Sequence, residues 1–188
     1  DKLLARATKI GLGDYDYAAM PTIFWDLHGK QGHPIRATIS EMGAMLLSSL
    51  MGLTKAQEGI MNIAFDIADD NEWALVDLND LKAVLQYVSA NRKELSLDYG
   101  NIATQSVNTI IRDLLVLERE GAEEFFGEPA LKLTDLMRID DNGQGFVNIL
   151  AAEDLINTPR LYATFLLWLM SELFEELEEV GDPDNPVM

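Results

Sequence analysis

Two strand-like blocks bracket a long helical stretch, and that arrangement limits the folds open to this chain. Pro21-Thr22-Ile23-Phe24-Trp25-Asp26-Leu27 sets β-branched and aromatic residues after a proline. Gly145-Phe146-Val147-Asn148-Ile149-Leu150 makes a second such block near the other end. Between them about a hundred residues carry apolar spacings of three and four, the period of a helix packed on one face. Such a chain is mainly α, in the α+β class. The start at Asp1 and the tail Asp182-Pro183-Asp184-Asn185-Pro186-Val187-Met188, where a new element would begin, lead us to expect an internal piece of a larger α/β protein.

The local signals are explicit. Lys2 to Ile10 predicts a short helix stopped by Gly11-Leu12-Gly13, and Asp14 to Met20 a polar-aromatic loop. Pro34 to Ile39 reads as a second, short strand. Ser40 is the expected N-cap of a helix with Glu41 in its first turn, an apolar face of Met42, Met45, Leu46, Leu47 and Leu50, and a stop at Gly52. Thr54 and Gln57 have capping-box spacing, and Ile60, Ile63, Ala64 and Ile67 follow on one face. Asp77 or Asn79 caps a third helix with the stripe Leu78, Leu81, Leu85 and Val88. Asn101 caps a fourth, with Val107, Ile110, Ile111, Leu114 and Leu117 inward and Gly121 at its end. Four such helices with short connections predict an antiparallel bundle. Glu123 to Met137 reads as short helices broken at Gly127 and Pro129. Thr158-Pro159 starts a final helix that we expect to run to about Val180. Three regions result: strand-bearing 1–40, the bundle 40–138, and 139–188 with a strand and the long last helix.

Charge and composition exclude several functions. The net charge of −18, from 14 Lys+Arg against 32 Asp+Glu, opposes broad binding to nucleic-acid phosphates. The absence of cysteine excludes disulfides, thiolate metal sites and cysteine nucleophiles, and fits a cytoplasmic protein. After Arg160 there is no Lys or Arg, while Glu172, Glu175, Glu176, Glu178, Glu179, Asp182 and Asp184 follow. This run is a solvated face or, alternatively, a docking site for a basic partner. The apolar run Leu161 to Met170 is shorter than the roughly 20 residues of a membrane span. It reads as a helix buried on most sides, and no membrane partner is expected.

Few residues carry a chemical signature. The only Gly-Lys pair, Gly29-Lys30, is followed by Gln31, and Phe24 occupies the place of the first glycine of a phosphate-binding loop. Asp140, Asn142, Gln144 and Gly145 have the early spacing of a calcium loop, but Ala151 stands where its bidentate Glu is required. An Asx-rich turn is the favoured reading. His28 and His33, even with Asp26 or Asp16, do not complete a metal-ligand set. No metal or cofactor is therefore expected in this chain. His28, Lys30, His33 and Arg36 do concentrate positive charge in an acidic chain, directly after a strand. Ligands of open α/β sheets bind at such strand ends, so these residues are candidates for a nucleotide, nucleic-acid or partner contact. The competing reading is a tight loop shaped by its glycines. Arg160, in the first turn of the last helix, is a fifth candidate, either for a neighbouring subunit's phosphate or for an ion pair anchoring its own loop.

The block from Phe24-Trp25-Asp26-Leu27-His28-Gly29-Lys30-Gln31-Gly32-His33-Pro34-Ile35-Arg36 to Ala37-Thr38-Ile39-Ser40-Glu41-Met42-Gly43 resembles one in bacterial HerA-like helicases of the DUF853 type. These are P-loop ATPases related to the HerA–FtsK translocases. Phe125-Phe126-Gly127-Glu128-Pro129-Ala130-Leu131 and Thr158-Pro159-Arg160-Leu161-Tyr162-Ala163-Thr164-Phe165-Leu166-Leu167-Trp168 resemble later blocks, in the same order. The resemblance implies that the strands of 1–40 and 139–188 belong to a RecA-like sheet, with the helical bundle inserted between them. It implies a parent that binds ATP and Mg, assembles as a homo-oligomer such as a hexamer, and moves on DNA. In that family the phosphate-binding loop lies upstream of the Phe-Trp-Asp block, and the catalytic acidic motif follows the segment Gly181 to Asp184. This chain would be the stretch between them. It would hold no catalytic or cofactor residue, be inert alone, and meet DNA only through the assembled parent. An acidic helical interaction module without enzymatic activity is the alternative.

Overall fold

A computed structural model describes residues 2–14, 17, 19–153 and 157–177. Its elements in chain order are α1 (Lys2–Lys9), β1 (Thr22–Asp26), β2 (His33–Pro34), α2 (Ile39–Met51), α3 (Lys55–Asp70), α4 (Leu78–Ala90), α5 (Arg92–Tyr99), α6 (Thr104–Leu117), α7 (Glu123–Phe125), α8 (Leu133–Leu136), β3 (Val147–Ala151) and α9 (Pro159–Glu176). A π-helical turn, Glu118–Ala122, joins α6 to α7, with Gly121 at φ +93°. The protein is mainly α with a small sheet.

The sheet is parallel, in the order β2-β1-β3. β1 pairs along its length with β3, from Thr22 opposite Val147 to Asp26 opposite Ala151. Everything between the two strands, the helical bundle included, forms the crossover. β2 pairs only Trp25 with His33 and Asp26 with Pro34. Parallel neighbours ordinarily need a connection of about a dozen residues. Residues 27–32 suffice here because so short a ladder asks the chain to return only about 7 Å.

The second strand is thus shorter than the Pro34–Ile39 expected from sequence. Ile35, Ala37 and Ile39 are buried as a strand's inner face would be, but their neighbour is a turn. Ala37 N–H donates to the Phe125 carbonyl at 3.0 Å, and Gly127 N–H donates to the Ala37 carbonyl at 3.0 Å. Leu131 N–H donates to the Arg36 carbonyl at 2.8 Å.

Several local expectations shift for identifiable reasons. Thr38, not Ser40, caps α2: its hydroxyl accepts from Glu41 N–H at 3.1 Å, and the Glu41 carboxylate accepts from Thr38 N–H at 2.7 Å. Ser40 is drawn instead to the Leu75 carbonyl, through its N–H at 2.9 Å and its hydroxyl at 3.2 Å. Gly43 interrupts α2 at φ +72°, which resets the helical phase. Met42, Leu47 and Leu50 are buried, whereas Met45 turns out to solvent at 79% exposure. α6 begins at Thr104 behind Ala103, so Asn101 is not its cap. α5 was not anticipated, and it buries no residue, so it leaves no apolar stripe to read. The box Thr54/Gln57 and the C-terminal glycine Gly52, at φ +65°, are as the sequence signals them; of Asp77 and Asn79 it is Asp77 that caps α4, and Asp80 completes a box with it that the sequence reading does not name.

One hydrophobic cluster runs through all of this, from Leu27 and Ile35 through the bundle to Leu161, Phe165 and Trp168. Helices α2, α3, α4 and α6 supply most of it. Phe125 ties the later elements in, with ring centroids 5.9 Å from both Phe165 and Trp168 in edge-on geometry. α9 buries Leu161, Thr164, Phe165 and Trp168 against this core. It is not buried on most sides, however: Leu167, Met170 and Phe174 are exposed on another face. Proline stands at its first turn and the Thr158 hydroxyl does not cap it. The stretch from Glu178 to Val180, into which the helix was expected to extend, and the tail to Met188 lie outside the described residues, as does Asp16. Among the described residues no helix is long and apolar enough to cross a membrane.

These two faces of α9 predict opposite outcomes. Phe165→Ala should lower stability by about 3–5 kcal/mol through loss of a fully buried ring. Leu167→Ala should change it by less than about 0.5 kcal/mol. Urea denaturation of the two variants checks this.

Candidate functional site at the carboxyl edge of the sheet

β1 and β3 run parallel and in register, so both end at one edge of the sheet. The candidate residues leave from that edge. Asp26 closes β1 and is only 5% exposed. Its carboxylate organises the loop beyond it, accepting from His28 N–H at 3.2 Å, Lys30 N–H at 2.7 Å and Gln31 N–H at 2.9 Å. Its carbonyl accepts from Gly29 N–H at 3.3 Å and Ile35 N–H at 3.2 Å. Burial pushes the Asp26 carboxyl up, but the N–H groups of Gln31, His28 and Lys30, together with the nearby His28 ring, outweigh it and hold the group below its ordinary value.

Gly32 lets the loop close. A Cβ there would lie 2.4 Å from the Phe24 carbonyl oxygen and 2.8 Å from Trp25 N. Both are backbone atoms of β1, which cannot swing aside as a side chain would.

The five candidates fall into two groups. His28 pairs through Nδ1 with the Glu124 carboxylate, and its ring lies against Gly121 of the π turn. Lys30 sits exposed on the same loop. The Gln31 amide donates to Glu153 at 3.2 Å, tying this loop to the segment after β3. Arg160 stands beyond that segment, in an open cleft of about 450 Å³ that it lines with Glu120, Asn157, Thr158 and Pro159. Glu120 adjoins Gly121, so the His28 loop and Arg160 flank one π turn.

His33 and Arg36 lead elsewhere. The His33 ring packs on Trp25 at 5.8 Å, and both line a cleft of about 300 Å³ with Pro129, Leu131, Asp135 and Arg138. Trp25 Nε1 donates to Asn148 at 2.8 Å, and Asn148 donates in turn to the Leu136 carbonyl at 2.7 Å, so the indole is held in place. Arg36 donates to the Glu128 carbonyl at 2.8 Å and braces the loop bearing Pro129. Its guanidinium serves the fold at that point.

Sequence reasoning missed Glu124, Gly32 in its close approach and Asn148, which position the candidates, and Arg138, which lines the His33 cleft. In the sequence Asp26 reads only as a candidate metal ligand. A carboxylate ending a strand before Gly-Lys-Gln-Gly is a legible turn signal, whereas Glu124 lies 96 residues from His28 and no spacing rule reaches it. Among the described residues no group of three His, Asp or Glu side chains is placed to hold a metal ion. Asp140 serves an Asx turn, its carboxylate accepting from Asn142 N–H at 2.9 Å and Gln144 N–H at 2.8 Å. The site offers a loop braced by Asp26 that presents Lys30 to solvent, with Arg160 exposed across the π turn, over an otherwise acidic protein. That arrangement suits contact with an anionic group or a partner.

The family model described as helicase HerA-like C-terminal matches residues 1–188, the full length of the chain. The chain belongs to that family. No curated protein and no solved structure matches it.

Two predictions follow from the Asp26 loop. Gly32→Ala forces β1 and the loop apart, and we expect it to destabilise the protein by at least about 2 kcal/mol, seen as a lower midpoint in urea. Asp26→Asn should cost about 1–3 kcal/mol at pH 7. The folded carboxyl titrates below the unfolded one, so its contribution is complete above the unfolded pKa, near 3.9, and disappears as pH falls through the folded value. Acid titration of stability should therefore fall less steeply below about pH 4 in Asp26→Asn than in the unaltered chain.

Proposed function

We propose that this member of the HerA-like helicase C-terminal family contributes two or three strands of a RecA-like sheet, with a helical bundle inserted between them, to an ATP-dependent DNA translocase or helicase. In this reading regions 1–40 and 139–188 are the RecA-like parts and 40–138 is the insertion. The assembly in this reading is a homo-oligomer, a hexameric ring, working in the cytoplasm. The remainder of the ATPase is this chain's first partner, and DNA is met only by the assembly. The observation that carries the reading is the shared carboxyl edge of β1 and β3, where Gln31 ties the His28–Lys30 loop to the segment after β3. In open α/β sheets that edge is the ligand-facing one.

ATP and Mg belong to this proposal only through the larger assembly. The 188 residues contain no Gly-x-x-x-x-Gly-Lys-Ser/Thr loop. Their described carboxylates and histidines form no group that fits a metal ion. The residues present thus do not fit a nucleotide–metal complex, and no hydrolytic step is assigned to them.

A second reading has its own observation. The α9 carboxylates are crowded: burial first, then Glu41, Glu175 and Glu176, pushes the Glu172 carboxyl above its ordinary value. An interaction module that docks a basic partner on this acidic end would relieve that crowding.

Two measurements test the leading reading. Titration calorimetry with Mg-ATP should show no binding by the 188-residue chain up to about 1 mM, and micromolar affinity would overturn the assignment. In a longer protein that includes a phosphate-binding loop, Lys30→Ala, which alters the exposed residue of the edge loop, should reduce DNA-stimulated ATP hydrolysis. Rates equal to the parent's would reduce that loop to a structural part.

A further inference from the structure

The exposed face of α9 has a regular spacing that neither reading uses. Ala163, Leu167, Met170 and Phe174 follow one another at intervals of four, three and four, and all are exposed. Leu167 is 54%, Met170 62% and Phe174 83% exposed, so this is a continuous apolar stripe on a helix whose opposite face is already filled. Alternating three and four is the spacing of the seam between two helices lying side by side. Arg160 extends the same series by one step toward the helix start.

Charge decides what can lie on the stripe. The first turn of α9 has Arg160 and no acid, while its far end has Glu172, Glu175 and Glu176. A second α9 lying parallel would set Glu175 and Glu176 against their own copies. Lying antiparallel, it sets each Arg160 against the acidic end of the other helix and opposes the two helix dipoles favourably. A basic helix from another protein would satisfy the glutamates but confront Arg160 with its own sign.

We propose that α9 pairs antiparallel with α9 of a second copy of this chain. Ala163 of one copy packs on Phe174 of the other, the two Leu167–Met170 pairs meet at the centre, and each Arg160 reaches Glu176 across the seam. The contact is isologous and closes at two copies, so it is distinct from the head-to-tail contacts of a ring. Its seam is only about 16 Å long, eleven steps of 1.5 Å from Ala163 to Phe174. Such a contact is small, and the dimer should be weak, with a dissociation constant on the order of 10–100 μM. The proposal does not depend on the translocase reading.

The chain has no cysteine, so single engineered thiols report contacts without background. Ala163→Cys and Phe174→Cys replace exposed side chains and should leave the fold intact. On mild oxidation, a mixture of the two variants should give mainly the mixed disulfide dimer by intact mass, and each alone should give little. Sedimentation equilibrium of the unaltered chain should show reversible dimerisation, which Leu167→Glu shifts at least tenfold toward monomer. A chain monomeric up to several hundred micromolar overturns the proposal. So does a dimer indifferent to Leu167→Glu, or cross-linking of each single variant with itself in preference to the mixture.

Discussion

The segment Ile35–Ser40 joins the two halves of the structure through its backbone. Ile35 N–H bonds to the end of β1, Ala37 bonds in both directions to the Phe125–Gly127 turn, and Ile39 and Ser40 N–H bond to the Val76 and Leu75 carbonyls. Its inward residues Ile35, Ala37 and Ile39 are buried, so these bonds lie where water cannot replace them. Each bond left unmade there would carry a penalty of about 1–3 kcal/mol. The sheet and the bundle are thereby fixed to each other, and Phe125, held by the same turn, carries the constraint on to α9.

The loop at the sheet edge inherits its shape from this strap. At one end Asp26 gathers three backbone N–H groups, and at the other Ile35 returns to the Asp26 carbonyl. Gly32 fills the narrow space between, where β1 backbone leaves no room for a side chain. A loop closed at both ends and tight in the middle has few conformations. The backbone that carries the exposed Lys30 and the half-buried His28 is therefore fixed, so a ligand or partner would have only side chains to order there.

The fold was legible where a single helix or strand carries its own evidence. α3 and α4 carry apolar periodicity and caps within a few residues, β1 and β3 carry runs of β-branched and aromatic residues, and all four form where they are read, the strands to within one residue. Where two residues competed for one role, distant contacts decided. Thr38 and Ser40 are both competent caps, and only the bond of Ser40 to Leu75 gives the cap to Thr38. Gly43 hid a change of helical phase that sent Met45 outward, because a pattern of apolar residues does not reveal the backbone angle of a glycine between them. The candidate site was legible as a strand end with concentrated positive charge. Its division was not: His28 faces Glu124 and the π turn, while His33 and Arg36 face the loop after Phe126. Those neighbours lie about ninety residues away in sequence, beyond the reach of helical or strand periodicity.

α9 shows the same limit most plainly. Leu161 to Met170 is almost continuously apolar, and such a run reads as buried all round. Hydropathy measures how much surface a helix would gain by leaving water, but the number of neighbours available to cover it is a property of the whole fold. Here the core takes Leu161, Thr164, Phe165 and Trp168, and among the described residues nothing covers Leu167, Met170 and Phe174. At about 25 cal/mol per Å² the uncovered stripe retains a driving force for association comparable to that of a small interface. The spacing of that stripe, and the opposite charges at the two ends of the helix, determine which orientation of a neighbouring helix can use it.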